Sequence, residues 1–99
     1  MKMAFVVHNE HFTPEVMQLL KDAGIDYYTR WDHAQGKGHG TEPHLGTGGY
    51  ASMNAVLMIG FPDESALEGL VEKISAANKK IVRADDRIRL FQLPLDRMV

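Results

Sequence analysis

The chain has 99 residues, of which 44% are hydrophobic and 24% charged, with a formal net charge of −2 and no cysteine. This length predicts a single domain over residues 1–99, and the acidic balance argues against nucleic-acid binding, because no surplus of Lys and Arg is present to neutralise phosphates. The lack of a long apolar segment, of a signal-peptide core and of cysteine predicts a cytoplasmic protein that does not insert into a membrane.

The first third of the chain predicts a strand, a helix and a second strand. Met1–Val7 is a short apolar run typical of a strand, and His8–His11 are predicted to form an exposed polar turn. Thr13 followed by proline is a typical helix start, with the hydroxyl as cap. Gly24 is predicted to end this helix, and Ile25–Trp31 then alternates in the manner of a second strand.

The last half of the chain repeats this order. Met53–Phe61 is an apolar strand, and Asp63 or Ser65 is predicted to cap a second helix that ends at Asn78. Ile88–Leu95 gives the fourth strand. The order βαββαβ predicts an α+β, ferredoxin-like fold, in which a four-stranded antiparallel sheet carries two helices on one face.

Strands 1 and 3 carry apolar residues at both odd and even positions. Two helices can cover only one face of the sheet, and a bare apolar face is typical of an interface. The pattern therefore predicts a closed homo-oligomer.

Between strands 2 and 3 lies a long loop, predicted over Asp32–Ser52. It contains six of the nine glycines and three of the five histidines. Loops longer than about 12–15 residues are uncommon inside compact domains and are usually functional or disordered. This loop is the best pointer to function in the sequence.

Two groups of residues could bind an anion. In Gln35–Thr41 alternating glycines allow backbone N–H groups to converge, and Lys37 adds positive charge. The same glycines are also typical of a loop in which they provide only mobility. A basic group near the fourth strand is either an anion-binding wall or a solvated rim. Its members are Lys79, Lys80, Arg83, Arg87 and Arg89.

The loop histidines His33, His39 and His44 form an alternative site for a divalent metal ion, with Asp32 and Glu42 as further ligands. Their spacing matches no standard zinc motif, so incidental histidines in a solvated loop are the favoured explanation and the metal site is the alternative. The chain has no nucleophile motif with an acid–base pair, which predicts that the protein is not an enzyme.

Three segments resemble the PII signal-transduction family, and in particular its divergent PII-like members. They are the first strand with the helix VMQLLKDAGI, the stretch Lys37–His39, and FQLPL in the last strand. The resemblance implies a homotrimer with a flexible loop, the T-loop, that docks on a client such as a membrane transporter. It also implies an effector such as ATP or ADP in the clefts between subunits, and it assigns to effector binding Gln35, Gly36, Lys37, Gly38, His39 and Arg89.

The chain also departs from this family near the fourth strand. Asp86 and Ile88 stand where the family has a glycine-rich turn that cradles phosphates, although Arg89 keeps a basic group. The expectation is that Asp86 repels phosphate at this position. The leading hypothesis is still a trimeric regulatory protein that binds a nucleotide or another anion, and the alternative is a metal-binding module linked to metal homeostasis.

Overall fold

The computed structural model describes residues 1–38 and 53–99. The elements follow in the order β1 (Lys2–Asn9), α1 (Thr13–Asp22), β2 (Thr29–Ala34), β3 (Asn54–Phe61), α2 (Glu64–Asn78) and β4 (Arg89–Pro94). A first 3-10 turn, Glu10–Phe12, joins β1 to α1, and a second 3-10 turn, Ala84–Asp86, precedes β4. The strands form one antiparallel sheet in the order β2-β3-β1-β4, which confirms the predicted ferredoxin-like fold.

Both helices have the end structures that their sequences predict, with one shift. Thr13 is the first residue of α1, and the cap position is one residue earlier. After α1 the N–H of Gly24 bonds to the carbonyl of Lys21 and that of Ile25 to the carbonyl of Leu20, while Gly24 has a φ of 75°. This is a Schellman motif, in which glycine adopts the left-handed conformation at little cost. Asp63 caps α2 by accepting the N–H of Ser65.

The core lies between the helices and one face of the two central strands. Alternate residues of a strand point to opposite faces, so every second residue of β1 and β3 is buried beneath the helices. These strand residues are Ala4, Val6, Ala55, Leu57, Ile59 and Phe61. The helices contribute Val16, Leu20, Leu67, Leu70 and Ile74. Apolar burial of this kind is the main stabilising term of a small domain.

The other side of the sheet, which we call the open face, carries no helix. Its central residues are half-buried and apolar, namely Met3, Phe5, Val7, Val56 and Met58. Trp31, Phe91 and Leu93 from the edge strands are exposed by 49%, 53% and 40%. At one end the C-terminal segment lies over this face, because a Cβ added to Gly60 would meet Sδ of Met98 at 2.8 Å. The predicted apolar second face is therefore present.

The predicted second strand, Ile25–Trp31, is wrong in its position, because β2 begins at Thr29 and continues to Ala34. Ile25 and Tyr27, at the start of the predicted strand, pack their side chains on the core, and their backbone does not pair with a neighbouring strand within the described part of the chain. Ile25 is buried after the helix end, and the Tyr27 ring packs edge-on against Phe61 with centroids 6.2 Å apart. The polar residues that follow fit an edge strand, whose two faces are largely exposed here.

The predicted exposed turn His8–His11 is also wrong in part. β1 continues to Asn9, since His8 pairs with Ala55 and Asn9 with Asn54. Both side chains are buried, and only the remainder of the predicted turn forms the first 3-10 turn. The predicted loop Asp32–Ser52 correspondingly begins after Ala34, and its residues 39–52 lie outside the described part of the chain. Neither helix of the described ranges is long and apolar enough to cross a bilayer.

Two glycine substitutions should change stability in opposite directions. Gly69 lies inside α2 with open space at its Cβ position, so Gly69→Ala should raise the free energy of unfolding by about 1 kcal/mol through helix propensity. Gly24→Ala should lower it by about 1 kcal/mol, because alanine is strained at a φ of 75°. Urea denaturation of both variants measures the difference, and equal midpoints would contradict this description of the two helices.

Candidate functional site

A cleft of about 480 Å³ opens on the open face, at the end where β1 stops and β3 and β4 begin. Open-face residues of three strands form its floor, namely Val7, Asn9, Asn54, Val56, Arg89 and Phe91. Residues 34–38, from the last residue of β2 onwards, form one wall, and residues 84, 85 and 87 before β4 form the other. The cleft thus lies where the base of the predicted loop meets the start of the last strand.

The orientation of the two cleft arginines, Arg87 in the wall and Arg89 in the floor, is set by a contact on the opposite side of the chain. Asn78, the last residue of α2, binds both backbone groups of Ile88: its Oδ1 accepts from the Ile88 N–H, and its Nδ2 donates to the Ile88 carbonyl, each at 2.8 Å. Ile88 is thereby held in the core. Because neighbouring residues of an extended chain point to opposite sides, Arg87 and Arg89 are directed to the cleft.

The acidic residues near the cleft are paired. Asp85 lines the cleft, and its carboxylate lies 3.0 Å from Nη2 of Arg83. Asp86 accepts a hydrogen bond from Nδ2 of Asn9 at 3.3 Å and lies 3.9 Å from Nε of Arg83. Asp86 is not among the lining residues, and it connects the second 3-10 turn to β1. The expected repulsion of phosphate by its carboxylate stays a prediction.

The positive charges of the cleft are less compensated. Lys37 Nζ lies 3.5 Å from the carbonyl of Gly38. Within residues 1–38 and 53–99, neither Arg87 nor Arg89 forms an ion pair. With Asp85 neutralised by Arg83, the cleft carries a positive surplus that suits an anion.

The wall before the loop depends on a close approach between Gly36 and Asn54. A Cβ added to Gly36 would collide with the side-chain amide of Asn54 on β3. Glycine therefore allows residues 34–38 to lie against the sheet and to line the cleft. A side chain at position 36 would require the Asn54 amide to move.

Most of the residues predicted to bind an effector lie at this cleft. They are Gln35, Gly36, Lys37, Gly38 and Arg89. The sixth, His39, lies outside the described residues, and effector binding by all six stays a prediction. Arg87 also lines the cleft, and the sequence analysis named it only in the basic group near the fourth strand. The alternation of Arg87 and Arg89 about an apolar Ile88 is a signal that could have placed it with these six.

The predicted metal site is not assembled in the described residues. His33 belongs to β2, where its Nδ1 lies 2.9 Å from Oε2 of Glu10. Residues 1–38 and 53–99 contain no group of three or more side chains arranged to hold a metal ion. His39 and His44 lie outside these ranges, so the metal site stays a prediction.

His8 is a buried histidine at the edge of the cleft that the sequence analysis placed on the surface. It is 2% exposed, its Nδ1 lies 2.8 Å from the Asn9 carbonyl, and its Nε2 has no partner among the described residues. Burial lowers the pKa of His8 below its ordinary value of 6.5, and this outweighs the bond to the Asn9 carbonyl, which raises it. The positive charge of Arg30 lowers the pKa further, and Asp32 opposes this effect.

A second groove of about 400 Å³ lies on the other side of the molecule, between α1 and α2. Its lining is mainly apolar, including Phe12, Leu19 and Ile81, and its rim carries charges of both signs. It lacks a convergent set of like charges. The cleft on the open face is therefore the better candidate for a small anion.

Solved structures of PII-like proteins share this fold. CPII from Thiomonas intermedia K12, bound to ADP and bicarbonate, is 17% identical with a TM-score of 0.68, covering 97% of this chain and 88% of that chain. A second CPII structure, of a nitrogen regulatory PII-like protein bound to ADP, AMP and bicarbonate, gives 18% identity, a TM-score of 0.67 and the same coverage.

A PII-like signalling protein from Thermus thermophilus is 14% identical, with a TM-score of 0.59, and covers 93% of this chain and 83% of that chain. No protein-family model matches the chain, and no curated protein matches it. The structural matches confirm the predicted resemblance to PII-like proteins at the level of the fold.

The buried His8 should make stability depend on pH. Because the pKa of His8 is lowered in the folded state, folding favours the neutral imidazole. The contribution of His8 to the free energy of unfolding is therefore complete above the unfolded pKa of 6.5, and it is lost as the pH falls towards the folded pKa. We expect the free energy of unfolding to fall between pH 7 and pH 5, by up to about 1.4 kcal/mol per pH unit for one proton. Urea denaturation across this range measures the slope.

The variants His8→Gln and His8→Leu should have a shallower slope than the wild-type protein, because the buried titrating group is gone. His11→Gln, which removes a histidine from the exposed first 3-10 turn, is the matched control for the loss of one imidazole. Identical slopes for the wild-type protein and both His8 variants would contradict the assignment.

Proposed function

We propose that this chain is a PII-like regulatory protein that binds a small phosphate-bearing effector, with an adenine nucleotide as the first candidate, in the cleft on the open face. The observation that carries the proposal is the convergence of Lys37, Arg87 and Arg89 on one cleft, beside backbone that Gly36 brings close to the sheet. The volume of about 480 Å³ lies within the range of about 300–1,000 Å³ typical of small-molecule sites.

The chemistry of the lining agrees with a phosphate-bearing ligand. Arginine binds phosphate oxygens in a bidentate manner, and lysine adds a point charge. Val7, Val56 and Phe91 provide an apolar floor against which a planar base could pack. In this proposal basic side chains replace the glycine-rich turn of the family, since Ile88 faces the core and the arginines on both sides of it face the ligand.

The structures that share this fold support the same ligand class. CPII is bound to ADP and bicarbonate in one structure, and to ADP, AMP and bicarbonate in another. We infer that an adenosine phosphate is the first ligand to test on this chain. The proposed role is binding and signalling, with no catalytic step.

The open face supports the proposal of a homotrimer. It is an apolar surface with exposed aromatic residues from both edge strands, Trp31 and Phe91, and surfaces of this type are normally interfaces. Packing of a second copy on this face would place another subunit beside the cleft, which would then lie between subunits. Control of a client protein, such as a membrane transporter, through the loop is part of the proposal and rests on the resemblance. A location in the cytoplasm is also part of it and rests on the composition of the sequence.

Binding of ADP tests the role of Arg87 and Arg89. Arg87→Gln and Arg89→Gln should each weaken ADP binding by about tenfold, because one charge-assisted hydrogen bond contributes about 1.5 kcal/mol. Lys79→Gln, which follows α2 and does not line the cleft, removes the same charge and should leave the affinity unchanged. Isothermal titration calorimetry measures all four proteins, and equal affinities for the three variants would reject the proposed site.

The oligomer is tested by a charge on the open face away from the cleft. Leu93 pairs with Met3, is 40% exposed and does not line the cleft, so Leu93→Asp should lower the mass of the assembly by placing a carboxylate in the interface. Val82→Asp introduces the same charge at a residue that is 94% exposed outside the sheet. Sedimentation velocity should give a trimer for the wild-type protein and for Val82→Asp. A wild-type monomer would refute the trimer.

A further inference from the structure

Glu10, in the first 3-10 turn, contacts the chain on both sides of the predicted loop. Its backbone N–H donates to the carbonyl of Met53, the residue before β3, at 2.9 Å. Its carboxylate Oε2 accepts a hydrogen bond from the N–H of His33 at 3.3 Å and lies 2.9 Å from Nδ1 of the same residue. One residue therefore joins the end of β2 to the start of β3.

His33 has a backbone conformation that needs such support. Its φ is 61°, and it is the only non-glycine residue with a positive φ in the part of the chain that the structure describes. It also lies in a β-bulge, where the pairing of β2 with β3 shifts between Trp31 and Ala34. Left-handed backbone at a residue with a Cβ is strained and persists where neighbouring contacts hold it. The Glu10 carboxylate supplies two of these contacts.

The bulge determines where the following residues go. Immediately after His33, residues 34–38 turn over the open face and form a wall of the cleft, which includes Lys37. Immediately before Glu10, Asn9 lies in the floor of the same cleft and binds Asp86 of the second 3-10 turn. Glu10 itself is not among the lining residues. It lies behind the wall, one residue from the floor.

We propose that Glu10 is a positioning residue for the cleft: it holds His33 in the left-handed conformation and so fixes residues 34–38 in the place from which Lys37 and the adjacent backbone reach a ligand. This inference rests on the proposed function only for the expected effect on ligand binding. The positioning itself is a property of the free protein and can be measured without a ligand.

A purely structural role for this contact predicts a different result. If the contact between Glu10 and His33 served only stability, its loss would lower the unfolding midpoint and leave the amide resonances of residues 34–38 in place. Positioning predicts a local change at residues 34–38 with a small effect on the midpoint. Trp31 is the single tryptophan of the chain and lies two residues before His33, so its fluorescence reports on the bulge.

The first experiment uses ligand-free protein. Glu10→Ala removes both side-chain contacts, whereas Glu10→Gln keeps an amide oxygen that can accept the N–H of His33. We expect Glu10→Ala to shift the amide resonances of Gly36 and Gly38 and the emission of Trp31. In Glu10→Gln both signals should stay close to their wild-type positions. Glu15→Ala, an exposed acidic residue in the first turn of α1, is the matched control and should leave them in place. Unchanged Gly36 and Gly38 resonances in Glu10→Ala would overturn the proposal.

A second variant tests the conformation of His33. His33→Gly removes the imidazole but favours a positive φ and keeps the backbone N–H. Combined with Glu10→Ala, it should restore the wild-type resonances of Gly36 and Gly38, because glycine needs no support in this conformation. If the double variant retains the shifts of Glu10→Ala, the bulge is not the route by which Glu10 acts, and the proposal is rejected.

The consequence for binding is measured with ADP as the probe. Glu10→Ala should weaken binding by about fivefold, the equivalent of one net hydrogen bond, and Glu10→Gln should recover most of the loss. An unchanged affinity in Glu10→Ala would overturn the consequence for the cleft. If wild-type protein binds no ADP, the proposed ligand fails, while the ligand-free resonances still decide whether Glu10 positions the wall.

Discussion

The pairing of β1 with β3, with helices on only one side, is the constraint on which the rest of the structure depends. The two strands pair over eight residues, from Lys2 opposite Phe61 to Asn9 opposite Asn54. This register sends one set of side chains into the core and the other set to the open face. A slip of one residue would exchange the two sets, so burial of the core side specifies the register strongly. The cleft and the apolar surface beside it both follow from this one-sided burial.

The cleft has a basic character because of contacts made elsewhere. The side-chain amide of Asn78 imitates a strand partner for Ile88, and the alternation of the chain then places Arg87 and Arg89 on the ligand side. Asp86 meanwhile is occupied by Asn9. In the proposed site the side chains of Arg87 and Arg89 supply the positive charge that an anion needs. The same principle applies at the other wall, where the conformation of His33 depends on Glu10 outside the cleft.

Much of the fold was predictable because its signals are local. Apolar spacing and end residues located the start of α1 to within one residue, and they offered Asp63, the observed cap of α2, as one of two candidates. The apolar run Met53–Phe61 identified β3 to within one residue. β2 was misplaced because the apolar residues before it, including Tyr27, pack on the core without pairing, while the polar residues that do pair lie on an exposed edge. Hydrophobic periodicity indicates which residues are buried, and in an edge strand the residues that pair need not be the buried ones.

The sequence alone was sufficient for the element order and the doubly apolar sheet, because both depend on residue type and short spacing. The grouping of Gln35–Gly38 with Arg89 came from the resemblance to PII-like proteins. Tertiary structure decided that His8 is buried, that Arg87 faces the cleft and that Glu10 supports His33 across 23 positions of sequence. The physical reason is that these features depend on partners distant in the chain. A histidine or a glutamate has the same local signal at the surface as in the interior, and only the packing of β1 against its neighbours distinguishes them.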